Sequence, residues 1–496
     1  MQATPCNPLW SNRHPMRTAA SACALCALGG LIASCTASAE DVRPPPNQLF
    51  FPSGLAVTPP GKLAPALFVA NANSELRYDS GSIVVIDILR VQTKVQEWRD
   101  SLIKGMPMPG DCEQDADHRE TLVCDEAPFI LEGASVRIGN FATDIAVQDF
   151  TDPVDPTDPA DPSANTIKLR VFVPTRGDPS IAWADYDGDR LFCSAEGGFA
   201  QCDDKHRLSS VLNDPNQPPV TDEPFAVYAT TQPPAPGSTT KQGYAIVTHL
   251  TTGAVSLVDS PEDGTVQISD VANSLFAPDL TTGLRGATGV AGRLPRTDDS
   301  MVYVGSRTDS RIQTLTVGRP ANGSAPYLLP GSFFFLDAVG NTAGGSIDTR
   351  GIQFSPSGDR VYIVNRRPPS LQIYDTSLGL TGIPRNESLG ASDICRQASN
   401  VAVVDVGDAM DPQERAYVSC FQDGEVYVVD PSGQSQVEDI ITVGRGPYAI
   451  VGAKDQKLLF VSNVLEDTIA VVDIDPMSAM RNRVILRIGT PKEQDQ

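Results

Sequence analysis

Along most of this chain, apolar residues come in short alternating or continuous runs separated by polar turns. Runs of that length and pattern read as β-strands. The clearest case is LLFVSNVLEDTIAVVD, Leu458 to Asp473, where LLFVS and TIAVV flank a short polar turn. The first run closes at Asn463 and the second at Asp473, ten positions later. The same interval returns from Cys420 to Asp430, Asn365 to Asp375, Ser306 to Thr316, His249 to Asp259 and Thr175 to Asp185. A further copy, Asn71 to Asp87, stretches it to sixteen.

A third apolar run precedes each pair, as in RGIQFSPSGDRVYIVN, where Ser357–Gly358 makes the hairpin turn. A fourth often follows: KVQEW after Asp87, then SFFFLDAV, EDIITVG and RVILRIG. This repeat resembles the YVTN-type β-propeller family over 49–489, with 490–496 as a tail. The resemblance implies an all-β, seven-bladed propeller, since four-stranded units bury their faces only by packing in a ring. Successive second-strand ends lie 104, 74, 57, 59, 55 and 43 residues apart, so long inter-strand insertions fall in the early blades. The largest is placed between blades one and two and holds Cys112 and Cys124. No long stretch shows a helical period.

The N-terminus reads as an address. Arg13 and Arg17 precede an apolar run from Ala19 to Ala33, short for a membrane span, and the run leads to LIASC, Leu31 to Cys35. LIASC resembles a bacterial lipobox. The resemblance implies a signal peptide over 1–34, a lipid on Cys35, a tether over 35–48 and, with Thr36 next, the outer membrane, on its periplasmic or surface face. Met16 would begin a compact signal of its own; an ordinary secretory signal is the alternative. The formal charge is −23, and loss of Arg13 and Arg17 with the signal makes it −25. That charge opposes binding to nucleic acid or anionic lipid, leaving the anchor as the only membrane contact of a monomeric propeller.

Six cysteines remain beyond the anchor. They allow fifteen connectivities. Nearest neighbours would give Cys112–Cys124, Cys193–Cys202 and Cys395–Cys420, in keeping with an oxidising compartment. DYDGDRLFCSAE places Asp185, Asp187, Asp189 and Glu196 at the spacing of an EF-hand calcium loop, although Arg190 stands where that loop needs glycine. Calcium is the one cofactor the sequence raises, against the plainer reading of an acidic turn. DPVDPTDPADP, Asp152 to Pro162, favours a solvated polyproline II loop.

Blade topology should bring second-strand ends and first-strand starts to one face. That rim would carry Asn71, His249, Asn365 and Asn463, with Arg176, Arg307 and Arg366 one residue beyond, and Arg350 and Arg445 at first-strand starts. Such arginines suit an anionic small ligand or a protein partner; the competing reading is that they pair with nearby Asp and that the column residues cap turns. No CxxCH, HExxH, GxSxG or phosphate-loop motif is present, so no catalytic residue is assigned. The expected function is therefore a binding or scaffold module. The alternative is a lactonase-like or quinone-dependent dehydrogenase-like propeller enzyme with its site over the central channel.

Overall fold

The computed structural model describes residues 42–62, 64–152, 167–210, 217–234, 239–293, 301–320, 325–337, 347–408, 410–433 and 435–491. Cys35, the signal and most of the acidic Pro-rich loop lie outside these residues. Each repeat forms its own antiparallel sheet, giving seven sheets in chain order and a seven-bladed β-propeller. In blade seven the strands are Pro447–Ala453, Leu458–Asn463, Thr468–Asp473 and Arg483–Ile488. The second and third are buried at every position, which is why they read as continuous apolar runs. Asn463 pairs with Thr468 and Leu458 with Asp473, so a tight turn and a six-residue strand set the ten-residue interval.

The recurrent letters have physical jobs. The residue at the end of each second strand is fully buried, and in most blades it ties neighbouring segments together. Asn71 accepts from Phe50 N–H and donates to the Gln48 carbonyl and to Ser82, its partner in the third strand. Asn463 donates to the Val443 carbonyl (2.9 Å) and to Thr468. His249 bridges the Asp222 carbonyl and Ser256 Oγ. Asn365 accepts from Asp348 N–H, and Ser306 donates to the Arg285 carbonyl. In blade six the same tie is covalent, Cys395–Cys420. The Asp that closes a third strand accepts from the amide two residues on, as Asp375, Asp430 and Asp473 do. That side-chain-closed turn redirects the chain out of the sheet.

Three sequence expectations need correction. KVQEW is not a strand: it lies in a helix, Ile88–Lys104, N-capped by Asp87 and ended by Gly105 in the left-handed conformation. Ile88, Val91, Val95 and Trp98 form its buried stripe, a helical spacing present in the sequence. The great insertion therefore sits within blade one, between its third strand (Gly81–Asp87) and its fourth (Ile130–Ile138), not between blades. In blade two the outer edge is shared by two short strands, Leu191–Phe192 and Arg207–Ser209, both paired with Ser180–Tyr186. All three nearest-neighbour disulfides form, with Cα separations of 4.3, 4.7 and 5.8 Å.

Ring closure uses the insertion. No strand is exchanged between blades one and seven; instead Leu122–Cys124 runs parallel to Arg483–Ile488 and extends blade seven outward to Cys112–Gln114. Thr121 donates to the Val484 carbonyl, Trp98 to the Glu120 carbonyl, and Arg99 pairs with the buried Asp473. Seven buried apolar clusters lie one at each blade interface, and the one between blades seven and one includes the helix stripe and Cys112 and Cys124.

His249 yields a pH prediction. Burial pulls its imidazole down to about 4, against the pull of the Asp222 and Thr221 carbonyls. The unfolded chain takes up this proton near the usual ~6.5, so native stability falls as pH drops below that value toward 4. Between pH 7.5 and 5, wild type should lose about 2 kcal/mol more than His249→Asn, measured by urea unfolding. An equal loss in both would show that His249 is not held neutral.

Candidate functional site

The seven first strands contact one another in a closed ring and wall the central channel. Six of them carry a β-bulge at the same place, between Pro52/Gly54, Pro224/Val227, Ala287/Val290, Thr349/Ile352, Ala398/Val401 and Pro447/Ile450. A bulge re-aims side chains, and here it gives each blade a position facing the channel mouth. Small residues let these bulges abut: a Cβ on Gly289 would lie 2.1 Å from the Arg350 carbonyl oxygen, and one on Gly351 2.4 Å from Asn400 Oδ1.

A circuit of hydrogen bonds runs blade to blade around this rim. Ser53 donates to the Ala142 carbonyl and Thr143 to Phe225's; Thr248 donates to Thr288's and Thr288 to Thr349's. Arg366 Nε donates to Ala398's carbonyl and Ser419 to Tyr448's. Asp467 of blade seven accepts from Phe51 N–H and pairs with Arg77, closing the circuit onto blade one.

Inside it lie two adjoining cavities that share Thr143, Phe225 and Tyr448. The inner one, about 70 Å³, is lined by blades two to seven and includes Asp144, Arg350, Arg366 and Tyr448. The outer one, about 190 Å³, is lined by Phe51, Phe141, Phe225, Phe421, Tyr448 and Arg176 among others.

The predicted rim residues separate into two groups. Asn71, His249, Asn365 and Asn463 are fully buried, and their side chains hold neighbouring segments together rather than face the open mouth. The arginines do gather at the mouth. Three are matched by carboxylates: Arg176 by Glu223 (2.6 Å), Arg350 by Asp348 (2.9 Å) and Arg445 by Glu466 (3.2 Å). The Arg366 side chain bonds only Ala398 and Ser399 among the described residues, and burial, then the nearby Arg350 and Arg307, pull its guanidinium down to about 10 against the opposing pull of Asp348 and Tyr448. Arg307 packs over Gly286 and has no side-chain ion pair or hydrogen bond among the described residues, yet it is close enough to Glu223 and Arg366 to shift both.

The four carboxylates of the calcium-loop motif do not converge. Asp185 pairs with Arg170 (2.7 Å), Asp187 accepts from the amides of Asp189 and Arg190, and Glu196 is exposed within the Cys193–Cys202 excursion. Arg190 turns its charge on Asp187, and no group of three or more His, Cys, Asp or Glu among the described residues is arranged to hold a metal.

The sequence reading missed Asp144, Tyr448 and the four phenylalanines. Their signal was positional: Thr143, Phe225, Arg350 and Tyr448 are equivalent bulge residues, and Phe421 is blade six's counterpart of Arg176, Arg307 and Arg366.

No family model matches the chain, and no curated protein matches it in sequence. Solved structures similar in shape include Kuenenia stuttgartiensis hydrazine synthase, at 12% identity over 89% of this chain and 98% of that one, TM-score 0.47. Another is the Pseudomonas aeruginosa periplasmic gluconolactonase, at 13% identity over 80% and 86%, TM-score 0.44. The class of this protein, a seven-bladed β-propeller, is read from its own seven sheets.

Asp144 supplies the second pH prediction. Its carboxyl accepts from Val227 and Ile145 N–H, yet burial outweighs both and pushes it up to about 6. The unfolded chain ionises near ~3.9, so this carboxyl favours the native state at low pH and loses that contribution as pH rises through 6. From pH 4.5 to 8, wild type should lose about 2 kcal/mol relative to Asp144→Asn in urea unfolding. A flat difference would mean that Asp144 is solvated through the channel.

Proposed function

We propose that this propeller is an exported, lipid-anchored binding module whose channel mouth seats a small anionic ligand. The carrying observation is Arg307: in a chain of net charge −23, it stands one residue past the blade-four tie, within electrostatic reach of Arg366 and Glu223, and forms no ion pair of its own among the described residues. Arg366 adds a second guanidinium with no close ion pair there, drawn only at longer range to Asp348, which Arg350 holds on the same wall. A guanidinium held near other guanidinia and partly desolvated gains more from an anion than a solvated one does. The anchor at Cys35 rests on LIASC and the short apolar run before it.

The enzyme alternative draws on Asp144, a carboxyl pushed up to about 6 that lines the same cavity as two arginines and a tyrosine. Its two oxygens are already engaged by the Val227 and Ile145 amides, an assignment that suits a structural clasp better than a proton carrier.

Calorimetric titration with acetate and with inorganic phosphate tests the binding reading. Arg307→Gln should weaken anion binding about tenfold, the loss of roughly one charge-assisted contact. Its melting temperature should stay near wild type, because no fold-holding contact is removed. Unchanged binding, or normal binding with a much lower melting temperature, would make Arg307 structural and move the site elsewhere.

A further inference from the structure

Seven equivalent blades could present seven similar rims, but this one is divided. One residue past the second-strand tie stand Arg307 and Arg366 on the adjacent blades four and five, while blades six and seven carry Phe421 and Val464 there. The bulge positions repeat the division, with Arg350 on blade five against Tyr448 on blade seven and Phe225 on blade three. Phe51 and Phe141, just ahead of the first strands of blades one and two, complete the apolar side of the outer cavity. Arg176 falls on that side, but Glu223 neutralises it at 2.6 Å. The arginines without a close ion pair of their own among the described residues, Arg307 and Arg366, therefore lie on one side of the mouth and the aromatic surface on the other.

Resting on the anion-binding reading above, we infer that the ligand is a small aryl carboxylate, its carboxylate toward Arg307 and Arg366 and its ring against Phe51, Phe141, Phe421 and Tyr448. Size comes first: cavities of about 70 and 190 Å³ fall short of the ~300–1,000 Å³ usual for drug-sized ligands. The apolar wall is built of half-buried aromatic rings, which favour a flat partner through edge-to-face and offset contacts beyond plain area burial. Charge selects one negative group rather than two. Asp348 and Asp144 share the cationic neighbourhood, so a dianion such as phosphate meets repulsion that a monoanion largely escapes. A planar carboxylate also matches the guanidinium fork.

The test titrates benzoate, acetate and inorganic phosphate into the full mature protein by calorimetry. Benzoate should bind at least about tenfold more tightly than acetate, from ring burial and aromatic contact. Phe421→Ala should bring benzoate down toward acetate and leave acetate affinity unchanged; should that variant melt early, Phe141→Leu takes its place with the same expectation. Benzoate no tighter than acetate, or phosphate tighter than both, overturns the aryl assignment and leaves the anion site standing. If none of the three binds, both readings fall. Benzoate preference that survives Phe421→Ala and Phe141→Leu also overturns the assignment, since the ring would then sit elsewhere.

Discussion

A ring of seven sheets has one joint that the chain does not make for free, and in this protein everything else depends on it. Each blade is built from consecutive segments, so blades one and seven share no strand that would lock the circle. The joint is held on the inside by Asp467, which accepts from Phe51 N–H and pairs with Arg77. It is held on the outside by the blade-one insertion, whose short strand lies parallel to blade seven's last. The helix adds its buried stripe to the apolar seal there, with Trp98 buried and Arg99 covering the wholly buried carboxylate of Asp473. A buried carboxylate without that partner would be strongly destabilising, so the latch and blade seven need each other.

The same economy explains how one scaffold leaves room for a site. Fold-holding contacts at the rim run mostly to backbone carbonyls of the bulged first strands, which any residue can supply. Side chains at the bulge and just past the tie are then free to differ among blades. They are where arginines stand on blades two, four and five and aromatics on blades three, six and seven. Arg366, like Thr143 and Thr288, carries a link of the circuit with its side chain and also lines the inner cavity, so a change there disturbs fold and site together.

The blades were legible in the sequence because the second and third strands are buried on both faces and joined by tight turns of nearly fixed length, as at Leu458–Asp473. The rim arginines were legible for the same reason, as residues one step past a visible column. Two of their partners were not: Glu223 and Glu466 stand 47 and 21 residues from their arginines, whereas Asp348, two residues before Arg350, is a nearby Asp of the kind the sequence offered. The lumen residues were hidden by the bulges, which break the alternation that marks a strand at Thr143–Asp144 and at Tyr448. The helix was legible but overlooked: Asp87, the stripe from Ile88 to Trp98 and Gly105 state its start, face and end. What no local pattern carries is its destination, since contact with blade seven joins residues some 360 positions apart, as in the Thr121–Val484 hydrogen bond.

Hydrogen exchange on Trp98→Ala, read peptide by peptide, tests this account of closure most directly. Emptying the helix stripe should speed exchange in the insertion, in Arg483–Ile488 and in the first strand of blade one together, while blades three to five keep wild-type protection. Faster exchange confined to the helix, with blade seven's last strand unchanged, would show that the ring closes without its latch.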